Sequence, residues 1–219
     1  SFLSQGIPRE RLVLNPLGVQ QKLFQATEPV LQARRERILR GKLRVLTTGN
    51  FSLQKGALDY LVIAEKLSGH LEFIHRGSIS PDAVFLKRRL KRVIRFLPKV
   101  DQRKLPEDYF QADLFLFPTL QDGYAAVLAQ ASAAGLPILA TMNCGARDFL
   151  TDGKDSWILP IRRPDLMVKR LEWCDTHRED LVKVARQAGV PKPGIEWRGR
   201  AEKLVEAYER FINKKKMNQ

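Results

Sequence analysis

Two stretches of this sequence combine residue types capable of chemistry with a position where the backbone can assist. The first is Gly49-Asn50-Phe51-Ser52-Leu53-Gln54-Lys55-Gly56, which follows an apolar run and precedes a helical pattern. A helix start offers unpaired N–H groups and partial positive charge. Lys55 adds a full charge and Gly56 would let an anion come close, so the stretch suits a diphosphate. It matches neither the P-loop nor the Gly-x-Gly-x-x-Gly fingerprint, so nothing in it supports an NTPase or a dehydrogenase. Taken alone, a solvated lysine beside a turn glycine explains the same residues. The second stretch runs from Pro118 to Ala131 and contains Asp122-Gly123-Tyr124-Ala125 and Gln130. Asp122 and Gln130 are separated by just over two helical turns, so a residue at the helix mouth and one within the helix can face one crevice. Gly123 would leave backbone N–H groups free to meet a ligand oxygen. A helix-capping Asp122 and a solvent-facing Gln130 are the plainer alternative.

The remaining reactive residue types form no constellation. His70, His75 and His177 stand apart, as ordinary surface or strand residues. Cys144 and Cys174 lack Cys-x-x-Cys spacing, which argues against a disulfide framework and against structural zinc, and no metal-ligand cluster is visible.

The elements that would position the two stretches alternate. Leu43 to Thr48 reads as a doubly buried strand, followed by a loop, a helix over Ala57 to Leu67, a strand over Leu71 to His75, a helix over Pro81 to Leu90 and a strand over Val93 to Leu97. A short helix over Leu105 to Gln111, a strand over Leu114 to Phe117, a helix over Tyr124 to Ala134 and a strand over Pro137 to Thr141 come next. Trp157 to Leu159 closes the set of strands, with helices over Leu166 to Ala188 and Arg198 to Asn213. Glu28 to Lys42 is charged and reads as a surface helix. Five or six strands alternating with helices predict an α/β, Rossmann-like doubly wound parallel sheet whose strand C-termini share one ligand-binding edge.

Composition limits the partner. The 219 residues, 44% hydrophobic and 28% charged, suffice for one well-buried core. No run of about 18 apolar residues is present and Ser1 to Glu10 lacks a signal-peptide layout, so the expected location is cytoplasmic. The balance of 38 Lys+Arg against 24 Asp+Glu gives a net charge of +14, which selects for a negative partner. The densest cluster is Lys87, Arg88, Arg89, Lys91, Arg92, Arg95 and Lys99. It reads as a solvated face, or as a contact for an anionic membrane surface that would hold the protein peripherally at the inner face. No aromatic interleaving or motif supports nucleic acid as partner, and that reading ranks last. Lys214 to Lys216 reads as a frayed tail.

In order along the chain, a set of motifs resembles the C-terminal, donor-binding domain of retaining GT-B glycosyltransferases of family four (group 1). Gly6-Ile7-Pro8 and Leu14-Asn15-Pro16-Leu17-Gly18-Val19 are similar to its interdomain segment, and Lys55-Gly56 to its phosphate-binding pair. Ala112 to Thr119 resembles its Ala-Asp strand, and Asp122 through Gln130 occupies its Glu-x7-Glu element. Gly135 to Thr141, the Asp152-Gly153 turn, and Trp197 with Ala201 to Phe211 are similar to the segments that follow.

The resemblance implies one half of a GT-B hexosyltransferase, of the kind used in polysaccharide or lipopolysaccharide biosynthesis. It would move a sugar with retention from a UDP- or GDP-sugar to a glycan or lipid hydroxyl, without metal or other cofactor, and would be inactive alone because the acceptor is held by a separate N-terminal domain. It implies a lead-in at 1–42, a nucleotide-sugar-binding domain at 43–196, and a C-terminal helix with basic tail at 197–219. Lys55 and Asp122 would be catalytic. Gly49, Asn50, Lys55 and Gly56 would meet the diphosphate, backbone from Leu97 to Val100 the base, the N–H groups of Gly123, Tyr124 and Ala125 the sugar and distal phosphate, and Gln130 the ribose. Three positions depart from the family pattern: Asp122 and Gln130 replace two glutamates, and Asn50 replaces an arginine. They leave the diphosphate one cation short unless Arg76 or Arg147 substitutes, and they keep open the alternative of a diverged, non-catalytic nucleotide-sugar-binding or scaffolding module.

Overall fold

The computed structural model describes residues 2–13, 15, 17–148, 150–192 and 196–217. Leu14 and Pro16 of the lead-in motif lie outside the described residues, as do the side chains of Lys214 to Lys216. Six parallel strands form one sheet in the order β3-β2-β1-β4-β5-β6: β1 Arg44–Phe51, β2 Glu72–Ile79, β3 Ile94–Leu97, β4 Leu114–Phe117, β5 Ile138–Thr141 and β6 Ser156–Leu159. This is the doubly wound parallel sheet expected from the alternation of strands and helices. The order reverses between β1 and β4, so the helices that follow those two strands, α3 (Ala57–Leu67) and α6 (Ala126–Ala133), lie on opposite faces of the sheet and the ligand edge is at the strands' C-terminal ends.

The strands form because they are short apolar runs that bury both faces. Every residue of Leu114–Phe117 and Ile138–Thr141 is buried, each large side chain contributing about 1.5–3 kcal/mol on leaving water. On one face the core contains Val45, Phe73, Leu116 and residues of the helices α3 Ala57–Leu67 and α7 Pro164–Thr176. On the other it contains Leu46, Phe115, Ile138 and residues of α5 Leu105–Gln111 and α6 Ala126–Ala133. α1 Gln21–Phe24, α2 Glu28–Arg40, α4 Lys87–Val93, α8 Arg178–Ala188 and α9 Trp197–Met217 complete the helices.

The structure refines the sequence reading in several places. β1 continues through Gly49, Asn50 and Phe51, which pair with Gly77, Ser78 and Ile79 of β2, so the expected loop is confined to residues 52–56. Pro81 to Leu90 divides into a 3-10 turn over Pro81–Leu86 and the start of α4. The long helix expected from Leu166 to Ala188 breaks at His177, whose φ of −114° and ψ of 59° end α7 before α8 begins. α2 lies on the surface with one buried edge, formed by Ile38 and Arg34, and the Arg34 guanidinium donates to the carbonyls of Tyr109, Ala112, Ala134 and Gly135. One charged side chain thus ties together carbonyls at the ends of α5 and α6. The lysines read as a frayed tail have helical backbone within α9. Among the described residues no helix is long and apolar enough to cross a membrane.

Candidate functional site at the strand crossover

The loop after β1 and the loop after β4 meet at the crossover. The Lys55 ammonium donates to Asp122 Oδ2 at 2.6 Å and to the Gln121 carbonyl at 3.4 Å. Backbone contacts fix the approach: Leu120 N donates to Gln54 O at 2.9 Å, and the Thr119 hydroxyl to the same oxygen at 3.2 Å. Asp122 also caps, since its Oδ1 accepts from Ala125 N at 3.1 Å. One carboxylate oxygen of Asp122 thus caps the turn into α6 while the other holds a lysine at the mouth of α3.

Two backbone positions have structural roles here. Gly56 lies buried where the two loops touch. It has φ 78°, and a Cβ on it would stand 1.9 Å from the Pro118 carbonyl oxygen, so glycine is required for the two loops to touch. The Ala125 N–H is engaged by Asp122 and does not face a ligand. Gly123 is exposed, and its amide has no acceptor among the described residues.

A cleft of about 690 Å³ opens beside this contact, lined by Gly49, Asn50, Val100 and Gln130 among others. Gln130 is not a free solvent-facing side chain. Its Oε1 accepts from the Tyr109 hydroxyl at 2.9 Å, and that hydroxyl lies 2.7 Å from the Thr48 hydroxyl, so a buried chain of three side chains fixes the amide at the cleft wall. Leu97 lies apart, in a separate hollow with Glu72, Arg95 and Gln111. Arg76 lines the cleft but is committed: its Nε and Nη2 both donate to Asp108 at 2.7 Å, and Nη1 to Pro98 O at 2.9 Å. Arg147 is exposed on the short turn Gly145–Asp148, whose first residue packs against the backbone of Gly123 and Tyr124.

A smaller pocket of about 140 Å³ shares Thr48, Gly49, Asn50 and Val127 with the cleft and runs beneath Lys55 and Asp122 to Tyr60 and His75. His75 is not an ordinary strand residue. It is buried against Phe51 and Phe96, and burial pulls its imidazole down to about 4, with the nearby Gly49 backbone acting weakly in the opposite direction. Sequence reasoning missed Tyr60, His75, Tyr109, Thr48 and the Arg76–Asp108 pair. The register Thr47↔His75 and Thr48↔Arg76 places His75 and Arg76 midway along β2, beside Thr47 and Thr48 of β1. The one available sequence signal was a polar His-Arg pair ending an apolar strand run.

Comparison with known proteins agrees with this fold. The family profile described as "Glycosyl transferases group 1" matches residues 42–177. The D-inositol 3-phosphate glycosyltransferase of Geodermatophilus obscurus is 26% identical over 218 residues, covering 92% of this chain and 47% of that protein. The solved structure of Anabaena Alr3699/HepE in complex with UDP superposes with a TM-score of 0.80 at 14% identity, over 95% of this chain and 60% of that one. The C-terminal domain of the glycosyl transferase group 1 family protein LpcC from Francisella tularensis gives 0.65 at 16% identity, over 78% of this chain and 95% of that domain. Matches that cover nearly the whole chain span 43%, 47% and 54% of the curated relatives' lengths, so the chain spans about half the length of such a protein.

Proposed function

The chain belongs to the group 1 glycosyl transferases, and from that premise we propose that it is the donor-binding half of a retaining hexosyltransferase that takes its sugar from a nucleoside diphosphate. The observation that carries the reading is the convergence of Lys55 and Asp122, 67 positions apart, within 2.6 Å at the sheet crossover. In the reaction the bond from sugar C1 to the distal phosphate oxygen breaks, a bond from C1 to an acceptor hydroxyl oxygen forms, and the hydroxyl proton leaves to base or water. Negative charge grows on the departing diphosphate. An ammonium and the partial positive charge of a helix start, fixed before the reaction begins, stabilise that charge without reorganisation. Asp122 orients Lys55 and offers an acceptor to sugar hydroxyls, Gln130 faces the ribose, Val100 the base, and the Gly123 amide the distal phosphate. The relatives' names and the UDP seen in a structural neighbour support a UDP- or GDP-sugar as donor. The residues named carry the charge stabilisation by themselves, so the scheme assigns no role to a metal.

With Asn50 in place of the family's arginine and Arg76 held by Asp108, the second cation falls to Arg147, on the turn packed against Gly123. The acceptor, a glycan or lipid hydroxyl, would be held by an N-terminal half outside this chain, and no activity is expected without it. The stretch 83–100 contains seven cations and no acid, and Val84 and Phe85 are exposed beside it. That combination supports cytoplasmic attachment to an anionic membrane surface.

The test is a calorimetric titration of UDP, GDP and their sugars. Micromolar binding that Lys55→Ala removes supports the reading. Absence of binding by every nucleotide overturns it in favour of a module that keeps the fold alone.

A further inference from the structure

Arg76 of β2 reaches across both ends of the connection from β3 to α5. Its Nε and Nη2 donate to the two carboxylate oxygens of Asp108 on α5, each at 2.7 Å, while Nη1 donates to the Pro98 carbonyl at 2.9 Å. One planar guanidinium therefore joins the first residue of the segment 98–104 to the helix that follows it. The fork-to-fork geometry fixes direction as well as distance, which a point charge would not do. With side chains only 16% and 12% exposed, the pair lies where water screens it weakly.

Little else holds the segment. No residue of 98–104 is buried, so core packing does not anchor it. Two of its hydrogen bonds are internal: Lys104 N donates to Asp101 O at 3.0 Å and Arg103 N to Asp101 Oδ1 at 2.8 Å. Among the described residues, the bond from Arg76 is the one side-chain hydrogen bond that joins 98–104 to a residue outside it. Space is open on two sides. Lys99, Val100, Asp101 and Gln102 line the 690 Å³ cleft, while Val100, Arg103 and Lys104 line a second hollow of about 680 Å³, and Arg76 stands in the wall of both. A segment with few buried contacts is free to move unless it is tethered, and a ligand that needs it in one place must then order it.

Resting on the donor-binding reading, in which this segment meets the base, we propose that Arg76 and Asp108 are positioning residues that hold 98–104 in its base-receiving conformation. The pair acts through the segment and not on the ligand. Affinity for the nucleoside part of the donor then depends on the Arg76–Asp108 clamp, and affinity for the diphosphate, held at the strand crossover by Lys55, does not. The bidentate pair also explains why Arg76 lines the cleft without serving as a cation for the diphosphate.

Arg76→Lys keeps the charge and loses the fork, and Asp108→Asn keeps the shape and loses the charge; thermal melting checks that each variant folds. Both are titrated with UDP, GDP and inorganic pyrophosphate, and backbone amide exchange is followed over 98–104 with Leu114–Phe117 of β4 as the internal reference. The expected result is UDP and GDP affinity weakened about tenfold in each variant, with pyrophosphate affinity unchanged within about twofold. Exchange over 98–104 should quicken several-fold while that of β4 stays the same. The double variant should lose no more than either single one, because both remove the same clamp. Equal weakening of pyrophosphate and nucleotides would make Arg76 a direct contact of the diphosphate and overturns the proposal. Nucleotide affinity that survives both substitutions overturns it as well, whether or not exchange quickens. A wild-type chain that binds neither UDP nor GDP overturns the donor-binding reading together with the clamp, an outcome distinct from wild-type binding that the variants leave intact.

Discussion

Lys55 and Asp122 form an ion pair of 2.6 Å although they leave different strands, β1 and β4, on either side of the point where the sheet reverses its order. Both side chains are partly buried, at 30% and 20% relative exposure. The pair closes the only contact between the two loops that involves opposite full charges, among the described residues. It explains how one lysine is held still at a helix start.

Replacing Lys55 by alanine is expected to weaken nucleoside diphosphate binding by about tenfold or more and to cost the free protein no more than about 1 kcal/mol, since a partly exposed pair contributes little to stability. Calorimetric titration and urea denaturation separate the two effects. An equal loss in both would contradict the assignment.

Gly56→Ala is expected to destabilise the fold by more than 2 kcal/mol, to order of magnitude, because the substitution combines a left-handed φ with a clash against the Pro118 carbonyl. Urea midpoints report it. A near-neutral Gly56→Ala would show that the two loops can part without loss.

His75 makes stability depend on pH. Its folded value of about 4 lies below the ordinary 6.5, so between those limits the unfolded chain binds more protons than the folded one. Stability is therefore full above about pH 6.5 and is lost as pH falls towards 4, by up to roughly 3 kcal/mol. His75→Phe removes this dependence and, by deleting an unsatisfied buried group, leaves the protein at pH 7 as stable or more so. Denaturation curves at pH 7, 5.5 and 4.5 for the two proteins measure both effects.

Neutralising Lys87, Arg88, Lys91 and Arg92 together with glutamine is expected to reduce binding to phosphatidylserine vesicles by several kcal/mol at low salt, at about 1 kcal/mol per cation. Binding to neutral vesicles and nucleotide affinity should not change. Arg89 is left in place because it is already paired with Glu65. Vesicle co-sedimentation that is the same before and after the substitutions would remove the membrane from the list of partners.

Much of the architecture was legible before any coordinates. The helices over Ala57 to Leu67 and Leu105 to Gln111 and the strand over Leu114 to Phe117 have the bounds that apolar spacing and turn residues give. Lys55 and Asp122 were singled out from their positions at strand ends before helix starts, and the structure brings them together. The misplaced boundaries share one cause. Gly49 to Phe51 has the local character of a loop, and it becomes strand because β2 supplies hydrogen-bond partners from Gly77 to Ile79. Arg34 reads as one more charge on a charged helix, and it is buried because four carbonyls from distant segments converge on it.

The sequence by itself determined the alternation of strand and helix, the sheet that follows from it and the two loops that end on the ligand edge, because hydrophobic period and turn chemistry are local properties of the chain. Only the tertiary structure decided that Gly56 packs against the Pro118 carbonyl, that Arg76 is spoken for by Asp108, and that buried Tyr60 and His75 line one pocket with Lys55. Those facts depend on which atoms from separate strands come within hydrogen-bond distance, and no local pattern in the chain encodes such distances.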